Sequence, residues 1–372
     1  MTTFQDCSVG IVKEVTYGTA VTVSRFVEFT EETFDYSKNV VQGQGLRVGA
    51  RVARSGRRVV TTSEAGGDLN FECLSKGQGL LWEAMMGTGT STMVSGSTYQ
   101  QVFTLGDTPP SLTLQKGLPR VDGTVDAYTF TGVHCDSFEL SFGNAEIATV
   151  TSTWNARDVT TATAYATPSY ATSPNLYHFA NGAITTGTVT APTATTLASS
   201  ITNVANVRSG TISVNRNPAN DRYNFGAGGK KAKPTVGMPE ITGTLEVEYD
   251  SATFRDAVLA ETPMSLVLTY TGGALSAGTE TLQVVVSEMK LDGKLPTSNG
   301  GELITVGLEF TVLDNLTAAQ PPWIVARTAD AALPSGGARG PGRRGLAPPG
   351  ARAQVVGCAD PSQHPQGPAR RG

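Results

Sequence analysis

Hydrophobic and polar residues alternate along much of the chain with the period of two that is typical of β-strands. A clear example is the stretch GGDLNFE, residues 66–72. In it Leu69 and Phe71 share one face, whereas Asp68 and Glu72 share the opposite face. The pattern predicts a strand with one packed face and one wet, acidic face.

A closely related stretch, TGTLEVE, occupies residues 242–248. Here Leu245 and Val247 alternate with Glu246 and Glu248, so the packed face and the acidic face are both repeated. The sequence therefore predicts that one kind of strand occurs twice in the chain.

The neighbouring segments repeat in the same order: a strand, a basic loop, the acidic strand, a short helix and two further strands. The short helices are predicted in GLLWEAMMG and ATFRDAVLAE, which have apolar residues one turn apart. The two copies align with an offset of 212 − 34 = 178 before the basic loop, 243 − 67 = 176 in the acidic strand and 306 − 150 = 156 in the last two strands. The aligned positions are Phe34 with Ile212, Tyr36 with Val214, Gly67 with Gly243, Val150 with Val306 and Trp154 with Phe310.

This pattern predicts a mainly β protein with two tandem domains, each a β-sandwich or half-barrel plugged at one end by one short α-helix. The predicted segments are an N-terminal arm (1–24), a first domain (25–158), a Thr/Ala/Pro-rich connector (159–204), a second domain (205–330) and a disordered Gly/Pro/Arg-rich tail (331–372). Each domain leaves strand edges unpaired, which favours pairing with a neighbouring copy.

The net charge of −4 conceals an uneven distribution. The tail carries one acid, Asp360, and six arginines, so its balance is 6 − 1 = +5 and the rest of the chain carries −4 − 5 = −9. The arginines are Arg339, Arg343, Arg344, Arg352, Arg370 and Arg371. With few large apolar residues, the tail is predicted to be disordered. Translation beyond the usual end of the gene or in a shifted frame, and a basic tail that touches nucleic acid, are the alternatives.

The sequence predicts no enzyme, cofactor or metal site. The four cysteines are far apart and form no CxxC pair, and three histidines are too scattered for a metal site or a Ser/His/Asp arrangement. The segment GAGGKK lacks the first Gly and the final Ser or Thr of a phosphate loop. The sequence contains no apolar run long enough for a membrane span, and its first residues do not have the pattern of a signal peptide. It therefore predicts a soluble protein made in the cytoplasm.

Several segments together resemble the tail tube (major tail) proteins of long-tailed, siphovirus-type bacteriophages. They are GIVKEVTYGTAVTVSRFVEFTEETFDY, the Arg-rich loop, GGDLNFECLSKGQGLLWEAMMG and GGELITVGLEFTVLDN, within residues 10–330. The resemblance implies a tail-tube-like β-sandwich with a flanking helix and a long loop, assembled in stacked rings around a channel for double-stranded DNA. Because the pattern occurs twice in this chain, the resemblance implies trimeric rings with pseudo-sixfold symmetry. A hexamer is the less favoured arrangement.

The resemblance also implies partners and a location. The partners are further copies of this chain, a tape measure protein, a tail terminator, and double-stranded DNA in transit without sequence-specific binding. The implied location is the virion tail, after assembly in the host cytoplasm, with no membrane. The alternatives are a distal-tail or baseplate hub ring of the same fold, and a monomeric β-sandwich binding module such as an adhesin or a carbohydrate-binding protein.

The wet faces of the repeated strands supply candidates for the channel wall: Asp68, Glu72, Glu246 and Glu248. An acidic wall would let DNA slide, because a basic one gains affinity from each phosphate that it neutralises. An outward, solvated face is the alternative for these four residues.

The two basic loops supply candidates for contacts between stacked rings. They are Arg47, Arg51, Arg54, Arg57 and Arg58 in the first copy and Lys230, Lys231 and Lys233 in the second. Three interpretations stay open at this point: contact with the acidic rim of the next ring, a clamp on nucleic acid, and a solvated loop.

Overall fold

Strands dominate the regular structure of the chain. The computed structural model describes residues 4–200, 202–204, 206–250, 252–296, 303–317 and 322–331. The helices are α1 Gly79–Met86 and α2 Thr253–Ala260. The strands are β1 Ser8–Lys13, β2 Arg25–Val27, β3 Glu31–Glu32, β4 Asp35–Gln42, β5 Arg58–Glu72, β6 Gly87–Ser95, β7 Thr98–Leu105, β8 Leu112–Pro119, β9 Val125–Phe142, β10 Thr149–Ala156, β11 Asp158–Thr160, β12 Gly182–Thr186, β13 Thr202–Asn203, β14 Val207–Asn215, β15 Glu240–Glu248, β16 Met264–Ala274, β17 Thr279–Gly293, β18 Thr305–Val312 and β19 Pro322–Thr328.

Eight of these strands form one antiparallel sheet that we call the long sheet. Its order is β4–β5–β10–β9–β14–β15–β18–β17. The sheet passes from the first predicted domain to the second at the β9–β14 junction, where Ile212 lies opposite Leu140 and Asn215 lies opposite Ser137. Backbone hydrogen bonds therefore join the two halves of the chain directly.

A second layer is built on the first parts of β9 and β17, which are long enough to belong to both layers. The first part of β9 pairs with β8 and β11, and β8 pairs in turn with β1. The first part of β17 pairs with β16 and β19, and β16 pairs in turn with β12. The two layers make the β-sandwich that the alternating pattern predicts.

The order of pairing in the first half of the chain recurs in the second half. Trp154 lies opposite Gly67 in the β5–β10 pair, and Phe310 lies opposite Gly243 in the β15–β18 pair. The sequence alignment matched these positions at offsets of 243 − 67 = 176 and 310 − 154 = 156, and the observed registers agree with those two offsets. Whether the two halves arose by internal duplication stays a prediction.

The packed face of the long sheet holds the core. Leu69 and Phe71 are buried, as the period of two predicts. Trp82 of α1 lies edge-on to Phe71 and to Phe138, with 6.3 Å between ring centroids in each case. Aromatic side chains of this size bury about 150–250 Å² each, so this cluster ties α1 firmly to the sheet.

The two predicted helices are confirmed, but their surroundings differ. Every residue of α1 after Gly79 is buried. In α2 only Phe254 and Ala257 are buried, and Leu259 keeps 64% of its surface exposed. The mainly β fold with short α-helices is therefore confirmed, and the second helix is the less completely covered of the two.

Two predicted segments have larger roles in the fold than the sequence suggested. Residues of the predicted N-terminal arm form β1, which pairs with both β2 and β8. Val9 and Ile11 of β1 are buried and contribute to the core. Part of the predicted connector forms β12, which pairs with β16 and β13. The domain boundaries themselves stay predictions. The predicted disordered tail lies outside the described residues except for Ala331.

Among the described residues, no helix has the length and apolar character needed to cross a membrane.

The close contact between β14, β15 and β18 gives a test of this packing. A Cβ atom on Gly243 would collide with the carbonyl oxygen of Thr211 and with the ring of Phe310, whereas a Cβ atom on Gly307 would meet nothing within 4 Å. We expect Gly243→Ala to lower the free energy of unfolding by about 1–3 kcal/mol, because the core must shift to admit the methyl group.

Gly307→Ala is the matched control on the neighbouring strand, and its unfolding free energy should stay close to that of the wild type. Denaturant unfolding of both variants measures the difference. Equal stabilities would show that the register of β15 against β18 is not the one described.

Candidate assembly and channel surface

The unpacked face of the long sheet is polar along its whole width. Directly opposite residues in an antiparallel pair point to the same face, so the registers define rows that cross the sheet. One row is Glu72, Thr149, Ser141, Thr211, Thr244, Glu309 and Asp292. The next row is Glu31, Asn70, Thr151, Glu139, Ser213, Thr242, Thr311 and Lys290. We call this surface the polar face.

All four acidic candidates from the sequence lie on the polar face. Asp68 lies opposite Thr153 and accepts a 2.8 Å hydrogen bond from its hydroxyl group. Glu246 accepts a 3.0 Å hydrogen bond from the hydroxyl group of Ser209. The structure thus brings residues of both halves onto one continuous surface; whether that surface lines a channel stays a prediction.

Sequence reasoning missed further acids on this face, among them Glu31, Glu139, Asp292 and Glu309. The signal for the last three was present, because the strands that contain them have the same alternation of apolar and polar residues. The alternation shows that such a residue faces away from the core. It does not show that strands distant in sequence share one surface, which only the pairing order reveals.

Carboxylates outweigh basic groups on the polar face. Arg208 lies 3.2 Å from Glu248, and Lys290 lies opposite Thr311. Both Arg208 and Glu248 are partly exposed to water, so their pairing adds little to stability. Threonine and serine hydroxyl groups fill the spaces between the acids, and the surface as a whole is hydrophilic and anionic.

The first basic loop, residues 43–57, lies between β4 and β5 and is largely exposed. Of the five predicted arginines, Arg54 is partly buried and Arg47, Arg51, Arg57 and Arg58 are exposed. The loop also presents apolar side chains to water: Leu46 and Val48 are fully exposed and Val52 keeps 82% of its surface. Apolar residues grouped at the tip of a loop are typical of a surface that packs against a partner.

The second basic loop, residues 216–239, instead lies against the first half of the chain. The Ser63 backbone N–H donates to the carbonyl oxygen of Gly229 at 3.2 Å, and Lys230 forms an ion pair with Asp158. Lys231 is buried and donates to Asn155 Oδ1 at 3.0 Å.

Lys233 remains exposed. The predicted role of these three lysines in contacts between rings therefore stays a prediction, and two of their ammonium groups are already engaged within the chain.

A buried polar cluster anchors this second loop. Asn220 Nδ2 donates to Asp136 Oδ2 at 2.7 Å, and Asn220 Oδ1 lies 2.9 Å from His134 Nε2. Burial raises the pKa of Asp136 to about 6 and lowers the pKa of His134. At neutral pH the 3.4 Å contact between His134 and Asp136 therefore joins a neutral imidazole to a carboxylate rather than two charges.

Two of the described cysteines lie in surroundings that disfavour reaction at sulfur. Cys73 and Cys135 are buried, and burial raises the pKa of each thiol, which disfavours the nucleophilic thiolate. Within those ranges no three His, Cys, Asp or Glu side chains are grouped so that they could hold a metal ion.

The half-buried Asp136 gives a test of how the second loop is anchored. Its pKa of about 6 in the folded chain is above the ordinary value of about 3.9, so its contribution to stability is complete below about pH 4 and is lost as the pH rises to 6. Asp136→Asn keeps an oxygen that can accept from Asn220. We expect this variant to be more stable than the wild type at pH 7.5 by about 1–2 kcal/mol.

The comparison at pH 3 is the control, because Asp136 is then mostly protonated in both the folded and the unfolded chain and most of the advantage should vanish. His134 is present in both proteins, so its own titration largely cancels from the difference. Denaturant unfolding at the two pH values measures the effect. An advantage of the same size at both would contradict the assigned pKa.

A family model described as phage tail tube protein matches residues 5–312, which include both halves of the long sheet and its β9–β14 junction. A search of the curated proteins finds no match. The family match spans well over half of the chain and confirms the resemblance that the sequence motifs indicated. The chain therefore belongs to the phage tail tube protein family.

Proposed function

We propose that this chain polymerises into stacked rings that form a phage tail tube, and that double-stranded DNA passes through the bore of this tube into the host. Membership of the family gives the chain a structural role in the phage tail. The observation that carries the finer proposal is the long sheet, which has one continuous polar face and one packed face covered by a second layer.

The strand count supports a ring of three chains. Each chain supplies eight strands to the long sheet, so three chains supply 3 × 8 = 24. At a spacing of about 4.8 Å, 24 strands close a barrel roughly 37 Å across before strand tilt widens it. Barrels of about 16–18 strands already hold an aqueous channel, so this bore would admit a DNA duplex.

The two faces of the sheet support the orientation of the ring. The packed face already carries α1 and the second layer, which would lie on the outside of the barrel. The polar face would then turn inward and place Asp68, Glu72, Glu246 and Glu248, together with Glu139 and Glu309, on the wall of the bore. An anionic wall repels phosphates and gains nothing from counterion release, so DNA would slide past it.

The first basic loop is proposed to contact the next ring of the stack. Its exposed apolar tip, formed by Leu46, Val48 and Val52, would be buried there, and its arginines would meet acidic groups on the neighbouring ring. An isolated chain gains nothing from exposing these side chains to water, which favours the stacking role over a solvated loop. A tape measure protein within the bore and a tail terminator at its end are the further partners of this proposal.

The assembly itself gives the first test. Negative-stain electron microscopy of the concentrated protein should show tubes built from stacked rings. The triple variant Leu46→Ser, Val48→Ser and Val52→Ser should give single rings or much shorter tubes, because the stacking surface loses its apolar contacts. Val121→Ser is the control: Val121 has 91% of its surface exposed on a different loop, and tubes should still form.

Two results would contradict the proposal. A wild-type protein that remains a compact monomer at high concentration would favour a binding module. Wild-type rings that never stack would favour a distal-tail or baseplate ring of the same fold.

A second test asks whether the polar face turns toward the bore of the tube or toward the outside. Glu246→Lys combined with Glu309→Lys should produce tubes that capture short DNA duplexes added during assembly and protect them from nuclease, with capture that declines as salt rises. Wild-type tubes should protect little DNA.

Asp122→Lys is the matched control, because Asp122 is exposed in the turn between β8 and β9, away from the polar face. It changes the charge without changing the wall of the bore, so its tubes should behave as the wild type does. Duplexes that bind the double variant but remain fully sensitive to nuclease would place the polar face on the outside of the assembly.

A further inference from the structure

We propose that neighbouring chains in a ring join through a copy of the β9–β14 junction, with β4 of one chain pairing antiparallel to residues 292–295 of the next. This inference rests on the proposed ring assembly and adds to it the identity of the joining strands, their register and the charge pair between them.

The internal junction supplies the template. In it Asn215 lies opposite Ser137, Val214 opposite Phe138 and Ser213 opposite Glu139. The strand β14 thereby completes the free side of β9, and Leu140 behind the junction is only 1% exposed. One half of the chain has its edge closed by the other half.

The two outer edges of the long sheet lack such a partner among the described residues. At one end β4 pairs with β5 alone. At the other end the last residues of β17, from Lys290 to Gly293, pair with β18 alone. Unpaired backbone groups on an exposed strand favour pairing with another chain.

The equivalent positions of the two halves fix the register of the proposed junction. We call two residues counterparts if they occupy the same position in the two halves. Glu309 is the counterpart of Thr153, because 309 − 153 = 156 is the offset between Trp154 and Phe310. Thr153 lies opposite Ser137 and Glu309 lies opposite Asp292, so Asp292 is the counterpart of Ser137. The counterpart of Asn215 is Ser37, because 215 − 178 = 37. Ser37 of one chain therefore lies opposite Asp292 of the next, Tyr36 opposite Gly293, and Asp35 opposite Lys294.

The residues brought together by this register are chemically complementary. Asp35 and Lys294 carry opposite charges, and both are exposed in the single chain. Opposite charges directly across an antiparallel pair stabilise it. Tyr36 meets a glycine, which offers no side chain in its way.

The surface beside the free edge of β17 is apolar and incompletely covered. Leu295, the counterpart of the buried Leu140, has 56% of its surface exposed, and the nearby Tyr249 has 37% of its surface exposed. Leu295 and Tyr249 line a groove with Phe254 and Val258 of α2. A second copy of this chain, seated as β14 is seated on β9, would cover it.

At the internal junction, a basic side chain also contacts the C-terminal end of α1. Arg216, which follows β14, donates to the carbonyl oxygen of Met85 at 2.9 Å, near the C-terminal end of α1. Its counterpart is Lys38, because 216 − 178 = 38, and Lys38 is exposed. In the proposed junction Lys38 approaches the C-terminal end of α2, where the helix dipole favours a positive charge.

Cysteine cross-linking tests the register. Chains with Ser37→Cys and chains with Asp292→Cys, each also carrying Cys7→Ser and Cys358→Ser, are mixed, assembled and mildly oxidised. Because each chain has one introduced thiol, a cross-link between them necessarily joins two chains. We expect disulfide-linked dimers in the mixture and none from either chain alone.

The control pairs Val41→Cys chains with Asp292→Cys chains. Val41 is on the same strand as Ser37 but four residues further along, which is too far for a disulfide in the proposed register. Electron microscopy of each mixture shows whether rings or tubes formed. Assembled mixtures in which the Val41 pair forms the disulfide, or in which neither pair does, would overturn the register while leaving the tube proposal intact.

Charge exchange tests the complementary pair. Asp35→Lys or Lys294→Asp alone should weaken ring association by about two- to fivefold per junction, and the double exchange should restore it. Equal association of both single variants and the wild type would overturn the assigned pair. Failure of the wild-type chain to form any ring would overturn both this inference and the proposed function.

Discussion

Backbone hydrogen bonding between β9 and β14 holds the two parts of the long sheet together. It joins two halves that have the same pairing order into one sheet of eight strands, and it gives β9 a partner on each side. In the described part of the chain, β4 and the end of β17 each have a partner on one side only. The β9–β14 pairing covers two strand edges within the chain, and the equivalent edges at the two sides of the long sheet stay unpaired. Such a chain is suited to closing a ring with copies of itself.

The alternation of side chains then determines what such a ring can do. Because successive residues of a strand point to opposite faces, pairing the strands in register collects the apolar residues behind the sheet and the carboxylates, threonines and serines in front of it. Trp82 and the second layer occupy the back, so the front is the face that remains in contact with water. A hydrophilic, anionic and continuous surface of this kind is what a wall needs if DNA is to pass without binding.

The sequence predicted those features that depend on local pattern. It predicted the mainly β fold, both helices, the packed residues Leu69 and Phe71, and the alignment that places Trp154 and Phe310 at equivalent registers. It did not predict that β1 and β12 belong to the body of the fold, because short apolar strands do not show which strand they pair with. It also missed Glu139, Asp292 and Glu309, since their common surface arises only from the order of pairing. The docking of Lys231 against Asn155 depends likewise on contacts between distant loops, which no local pattern encodes.

If the polar face of the long sheet lines the bore of a ring made from three chains, the strands of that sheet must be visible around the bore. Electron cryomicroscopy of the assembled protein, at a resolution that separates strands, shows whether they are. We expect rings of three chains with pseudo-sixfold symmetry and an inner barrel of 24 strands, with Glu246 and Glu309 projecting into the bore. A ring of six chains, or a bore lined by the second layer with the long sheet outside, would contradict this expectation.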